Sequence, residues 1–291
     1  MFEQKDCSVT PIDQASSLRN MNAIDEINVI AVTGGKGGVG KTNIAINLSI
    51  ALADLQRKVM LLDADFGLSN VDVMLGLRTR KNLHHVLKNE CGIEDIIIPG
   101  PHGIQIIPAS SGIREMANLN AHEHMGIIDS ISQFNPSLDY FIIDTAAGIS
   151  DSVSMFTHLA NNILIVVCDE PASLADAYAL IKVLSKKGVK KKFQIIANMV
   201  ESSAHGERLF SQLEKVSNHF LEASLEYCGY IPNDKYIKKA IKKQQSVIDA
   251  YPGSRSSLGF ARLAREINNK PIPINVSGSV ELFLERQLSN Q

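Results

Sequence analysis

Tryptophan is absent from this chain of 291 residues, and aromatic residues make up only 5% of it. Any large core must therefore be aliphatic. Cysteine is scarce: Cys7, Cys91, Cys168 and Cys228 lie far apart, with no Cys-x-x-Cys pair among them. Metal or iron–sulfur ligation by thiolates has no local support from that spacing. Cys168 closes the apolar run 163–167 and reads as a core thiol. An excess of charge of either sign is also missing. A net charge of −2 gives no global argument for binding nucleic acid or an anionic membrane. No apolar stretch approaches the ~18 residues of a membrane span, and no secretory signal is evident, so a cytoplasmic protein is expected. No internal repeat is visible.

What is present suits one large α/β domain: 45% hydrophobic and 21% charged residues. Strand-like runs near 27–32, 58–62, 104–107, 139–143, 163–168, 193–197 and 225–231 alternate with helical patterns. That alternation predicts a doubly wound, mainly parallel sheet flanked by helices. Residues 1–25 are polar and lack an apolar rhythm, so they read as a flexible tail. The Pro271-Ile272-Pro273 step ends the globular part, giving an expected domain at 26–270 and a second tail at 271–291.

The strongest local signal is Gly34-Gly35-Lys36-Gly37-Gly38-Val39-Gly40-Lys41-Thr42. From Gly35 to Thr42 it fits Gly-x-x-x-x-Gly-Lys-Thr, a phosphate-binding loop. An apolar, β-branched run precedes it. Ile44, Leu48, Leu52 and Leu55 follow at helical spacing, so a strand, a turn and a helix succeed one another as the motif requires. Glycines let the backbone N–H groups of the loop, Val39 included, turn toward phosphate oxygens, and the helix N-terminus adds partial positive charge. Lys41 then reaches the β- and γ-phosphates, and the Thr42 hydroxyl ligates Mg²⁺. Lys36 is a second lysine inside the loop; taken alone it is a solvated charge.

Acids complete the set. Asp63 and Asp65 close the run 58–62, and Asp144 closes the run 140–143. Carboxylates at the C-terminal ends of strands in an α/β sheet point toward the ligand crevice. Of Asp63 and Asp65, one suits the metal side and the other an attacking water, and Asp144 suits a direct or supporting Mg²⁺ role. Gly148 allows a close backbone approach to a γ-phosphate. Asn198 ends the run 193–197 with an amide that both donates and accepts, as adenine does. No Asn/Thr-Lys-x-Asp guanine motif is evident, which favours ATP over GTP.

The full string Lys36-Gly-Gly-Val-Gly-Lys41-Thr42 resembles the deviant phosphate loop of the MinD/ParA family, whose fold is that of a P-loop NTPase. The resemblance implies a slow, Mg²⁺-dependent ATPase that forms a homodimer with ATP, with Lys36 crossing the interface to the partner's nucleotide. It also implies that Asp65 positions the water and that Asn198 reads the base. At 144–148 this chain has Asp-Thr-Ala-Ala-Gly where Asp-Ser-Pro-Ala-Gly is common, so Thr145 and Ala146 replace a Ser-Pro pair.

Asp13-Gln14-Ala15-Ser16-Ser17-Leu18-Arg19 narrows the resemblance. Read bare, it is a short polar segment with Gln14 and Leu18 on one helical face. Ahead of a MinD-type loop it is similar to the activator motif of the FlhG/FleN family, as are the stretches 59–65, 144–148 and 168–171. That resemblance implies control of flagellar number, placement and gene expression. Asp13, Gln14, Leu18 and Arg19 would serve an FlhF-type GTPase, and a FleQ-type transcription regulator would be a further partner. Val280, Phe283, Leu284 and Leu288 share a helical face near the C-terminus, so 280–288 is expected as a short amphipathic helix. It is open to two readings: membrane contact at the inner membrane or cell pole, for which two Glu to one Arg is a poor charge balance, or docking onto the protein's own surface or a partner. Lysines clustered at 182–192 and 235–243 read as solvated helix faces, and direct DNA binding is not expected. The alternative class is a MinD/ParA-type partitioning or positioning ATPase acting on DNA or membrane.

Overall fold

The computed structural model describes residues 27–67, 70–109, 137–189, 192–221 and 223–271, together with Met116, Leu119, Glu123, Gly126, Ile127, Ser130 and Ile131. The motif at 13–19 and the segment 280–288 lie outside the described residues. The elements run β1 (Asn28–Gly34), α1 (Lys41–Asp54), β2 (Val59–Ala64), α2 (Val71–Leu75), α3 (Leu83–Leu87), β3 (Ile98–Pro99) and β4 (Gln105–Ile107). They continue with β5 (Tyr140–Ala147), α4 (Asp151–Leu159), β6 (Asn162–Val167), α5 (Pro171–Lys186), β7 (Phe193–Val200), α6 (Ser203–Phe220), β8 (Leu225–Pro232), α7 (Lys235–Lys242), α8 (Val247–Ala250) and α9 (Arg255–Asn269).

These strands form one eight-stranded sheet in the order β3-β4-β2-β5-β1-β6-β7-β8. Among the described residues every pairing is parallel except β3 with β4, where Ile98 faces Ile106. The sequence runs do not reveal β3. It is only two residues long, and Pro99 lacks the N–H an inner strand needs, so it can close the sheet only as an edge. The expected parallel, two-layered cover is otherwise present.

Period-two alternation places the core on both faces. Ile30 and Val32 of β1 pack with Ile44, Leu48 and Leu52 of α1 and with Phe260 and Leu263 of α9. Ala31 between them faces the other side, with Ile163 and Ile165 of β6 and Leu180 and Ile181 of α5. A third cluster joins Met60 and Leu62 of β2 to Ile143, Phe156 and Ile107. The core is thus aliphatic, as a chain without tryptophan requires. Cys168 and Cys228 are buried and free, in keeping with a thiol that packs.

Strand order also sets the site. β1 lies between β5 and β6, while the helix that leaves β1 returns to β2 on the far side of β5. The chain therefore diverges at the C-terminal ends of β1, β2 and β5, where a crevice opens.

Past β8, one side chain ties two helices together. Asp234 accepts from Tyr236 N–H at 3.0 Å at the start of α7 and from the Ser256 N–H and hydroxyl at 3.1 and 3.0 Å at the start of α9. Burial pushes its carboxyl up, but those hydrogen bonds and the Arg255 charge outweigh it, so the net shift is downward. A carboxyl lowered in the folded state stabilises above its unfolded value of about 3.9 and loses that effect as pH falls through its folded value. Asp234→Ala is expected to cost about 1–2 kcal/mol at pH 7. Urea melts of both proteins should show that gap narrowing toward pH 3.

Candidate nucleotide site

The loop between β1 and α1 holds two glycines with left-handed backbone, Gly38 (φ 82°) and Gly40 (φ 93°). A side chain is strained at either position. Gly40 is the N-cap of α1 and has no side chain to bond the first-turn N–H groups, so these remain directed at the crevice. That is the arrangement an anion needs.

Gly35 has a different reason to be glycine. A Cβ there would lie 2.2 Å from the backbone carbon of Asp176 and 2.3 Å from its oxygen. The loop therefore rests directly on α5, and the helix supports it from behind. At Gly37 a Cβ would meet nothing within 4 Å. The motif names Gly35 and leaves Gly37 at a free position, and the packing of α5 supplies a physical reason for the difference.

Lys41 is 8% exposed, and burial pulls its ammonium below the ordinary value while Asp144 and Asp65 pull the other way. Asp144 is 1% exposed. Burial pushes its carboxyl well above the carboxylate range and the Asp63 charge adds to this, while Thr42 and Lys41 oppose it. Asp63 and Asp144 face each other in the β2–β5 register. Neither oxygen of Asp144 has a hydrogen bond of good geometry, although the Thr42 side chain faces it.

The structure adds a task to Asp63 that its place at the strand end does not announce. Its Oδ1 accepts from Asp65 N–H at 3.2 Å, and its Oδ2 accepts from Asn70 and Val71 N–H at 3.1 Å each. The carboxylate thus organises the turn that carries Asp65 and starts α2. β2 ends at Ala64, so Asp65 stands on this turn and not on a continuing strand.

Two further residues have partners the sequence does not suggest. Gly148 (φ 91°) donates its N–H to the Gly34 carbonyl at 3.1 Å, so that N–H must be released before it can meet a phosphate. Lys36 forms an exposed ion pair with Glu170 of its own chain, whose hydrogen bond and charge raise the lysine's pKa. Asn198 is buried and bonded to the loop. Lys235 and Lys239 lie over the Tyr236 ring and Lys243 over Tyr251, so these members of a lysine cluster cover aromatic surface.

A metal can be tested against these residues. Orphaned, buried oxygens on Asp144, beside Asp63, Asp65 and the Thr42 hydroxyl, fit a hard cation that takes oxygen ligands. Among the described residues no three His, Cys, Asp or Glu side chains converge into a closed cage. Mg²⁺ needs none, since it is held by one or two side chains together with substrate phosphates.

The ParA family model, described as NUBPL iron-transfer P-loop NTPase, matches residues 26–268. The antiactivator FleN of Pseudomonas aeruginosa is 47% identical over 269 residues, 92% of this chain and 96% of that protein. The chain belongs to the MinD/ParA family of P-loop ATPases, in its FlhG/FleN group. This ATPase is also 35% identical to the flagellum site-determining protein YlxH of Helicobacter pylori, over 81% of this chain and 80% of that one. The crystal structure of the cell division ATPase MinD of Pyrococcus furiosus has a TM-score of 0.70 to it at 25% identity, covering 83% of this chain and 98% of that one. Among the described residues no helix is long and apolar enough to cross a membrane.

Gly35→Ala is expected to lower the melting temperature and to weaken ATP binding at least tenfold, because overpacking against α5 costs about 1–3 kcal/mol. Gly37→Ala should leave the melting temperature of the apo protein unchanged. Thermal melts with and without ATP compare the two.

Proposed function

We propose that this ATPase is an ATP-dependent dimerising switch that regulates flagellar number, placement and gene expression. The observation that carries the reading is the likeness to antiactivator FleN along 92% of the chain. The loop, the strand-end acids and Lys36 all fall within the family match at 26–268.

In this reading the Gly35–Thr42 loop cradles the triphosphate with its N–H groups. Lys41 lies between the β- and γ-phosphates, and Thr42 and Asp144 hold Mg²⁺ with Asp63 beside them. When held there, Mg²⁺ would supply positive charge against the phosphate oxygens. Asp65 orients the water that attacks the γ-phosphorus. The bond from that phosphorus to the bridging oxygen breaks, and ADP and inorganic phosphate leave. Catalysis comes from positioning and charge stabilisation. Adenine is read by Asn198.

Lys36 gives up Glu170 and reaches the nucleotide of a second copy, where its charge acts as an arginine finger does. Gly148 gives up Gly34 and turns its N–H toward the γ-phosphate. ATP thus favours the dimer, and hydrolysis returns the monomer.

Output runs through the ends of the chain. Residues 1–25 form a tail whose Asp13, Gln14, Leu18 and Arg19 stimulate an FlhF-type GTPase, and a FleQ-type regulator is a further partner. The tail at 271–291 carries the amphipathic segment 280–288, which takes either the inner membrane or a protein surface as its partner.

With ATP, light scattering should find Lys36→Gln monomeric and Asp65→Ala accumulated as dimer; unchanged dimerisation of Lys36→Gln would refute the trans contact. A synthetic peptide of residues 1–25 should raise GTP hydrolysis by an FlhF-type GTPase, and its Gln14→Ala form should not. Equal rates with either peptide, or with none, would remove this partner.

A further inference from the structure

Asn198, near the end of β7, is 4% exposed. Its Nδ2 donates to the Val39 carbonyl at 2.7 Å, across 159 residues of sequence. Val39 precedes Gly40, the left-handed N-cap of α1. A Cβ on Gly40 would lie 2.3 Å from Asn198 Nδ2. The amide therefore sits hard against the loop backbone, in a space that only glycine leaves open. Its orientation is fixed by chemistry: turned over, Oδ1 would face the Val39 carbonyl, acceptor against acceptor.

The next residue supports the same contact. Met199 has a left-handed backbone (φ 58°), and its Cε lies 3.5 Å from the Gly40 Cβ position. A non-glycine residue held in that region costs energy and persists only where its surroundings impose it. Here the strand end bends so that Asn198 points inward and Met199, 41% exposed, covers the turn.

A loop that grips phosphate through N–H groups has a matching problem with its carbonyls. Each carbonyl that turns into the cradle presents negative dipole to a polyanion. We infer that Asn198 is a positioning residue of the phosphate loop, holding the Val39 carbonyl out of the cradle so that the loop N–H groups face the triphosphate. This rests on the reading of Gly35–Thr42 as a triphosphate site and goes beyond base recognition. The Oδ1 of Asn198 is buried without a hydrogen-bond partner, which leaves the acceptor half of the amide for the base. One side chain then serves loop and base at once.

The two tasks separate with a ligand that has no base. Inorganic tripolyphosphate with Mg²⁺ is titrated calorimetrically into the full chain, as wild type, Asn198→Leu and Asn198→Asp. Losing the brace is expected to weaken tripolyphosphate binding about tenfold in Asn198→Leu, the size of one lost charge-assisted contact. Asn198→Asp should be as weak at pH 8 and recover relative to wild type at pH 5, because a protonated carboxyl can again donate to Val39. Amide hydrogen exchange on the apo proteins reads the same point without ligand. Exchange at 37–42 should quicken in Asn198→Leu while the inner residues of β7 keep wild-type protection, which a general loss of fold would not produce. Wild-type affinity for tripolyphosphate in both variants, with only ATP weakened, would reduce Asn198 to a base contact and overturn the inference. Wild-type protein that binds neither ligand would overturn the nucleotide reading and this inference together.

Discussion

Asp144 is a carboxylate with no access to water, set beside a second buried carboxylate and left without a good hydrogen bond. Such a group is costly unless positive charge is supplied. Lys41 supplies part of it, and its own burial leaves it dependent on Asp144 and Asp65 in turn. The pair is held by opposite sides of one crevice: Asp144 by the central strand β5, Lys41 by the first turn of α1. A cation that takes oxygen ligands would relieve the remaining imbalance. The crevice is thus more stable when filled, which is the property a nucleotide-driven switch requires.

Around that centre the backbone is fixed by contacts from distant parts of the chain. α5 backs the loop at Gly35, β7 grips it at Val39 through Asn198, and Gly148 bonds its entry at Gly34. Asp63 holds the turn that bears Asp65. In the proposed switch two such contacts, Gly148 with Gly34 and Lys36 with Glu170, would be exchanged for phosphate. Gly148 N–H and the Lys36 ammonium are each engaged within the monomer, and each is a group that the nucleotide would claim. Exchange of internal partners for phosphate is a differential interaction between two states, and only such a difference can shift an equilibrium.

The loop, the alternation of strands and helices, and the acids at strand ends were legible because each is a local pattern with one physical cause. Glycines in a tight turn, apolar runs between helical repeats, and Asp63, Asp65 and Asp144 at the ends of apolar runs need no tertiary knowledge. β3 was not legible, since two residues at an edge carry no periodicity. Nor was the load on Asp63, because the N–H groups it accepts belong to a turn whose path depends on α2. The motif requires Gly35 and not Gly37, but the contact with α5 that forbids a side chain at Gly35 is invisible in it.

By itself the sequence determined the layered α/β class, the phosphate loop and the family, because hydrophobic period and short-range spacing are written along the chain. Only the tertiary structure decided which partner each polar group takes. Glu170 meets Lys36 from 134 residues away, Val39 meets Asn198 from 159, and Asp234 joins the starts of two helices. Hydrogen bonds and ion pairs act over a few ångströms, so their pairing is set by how the strands are ordered and not by their distance along the chain.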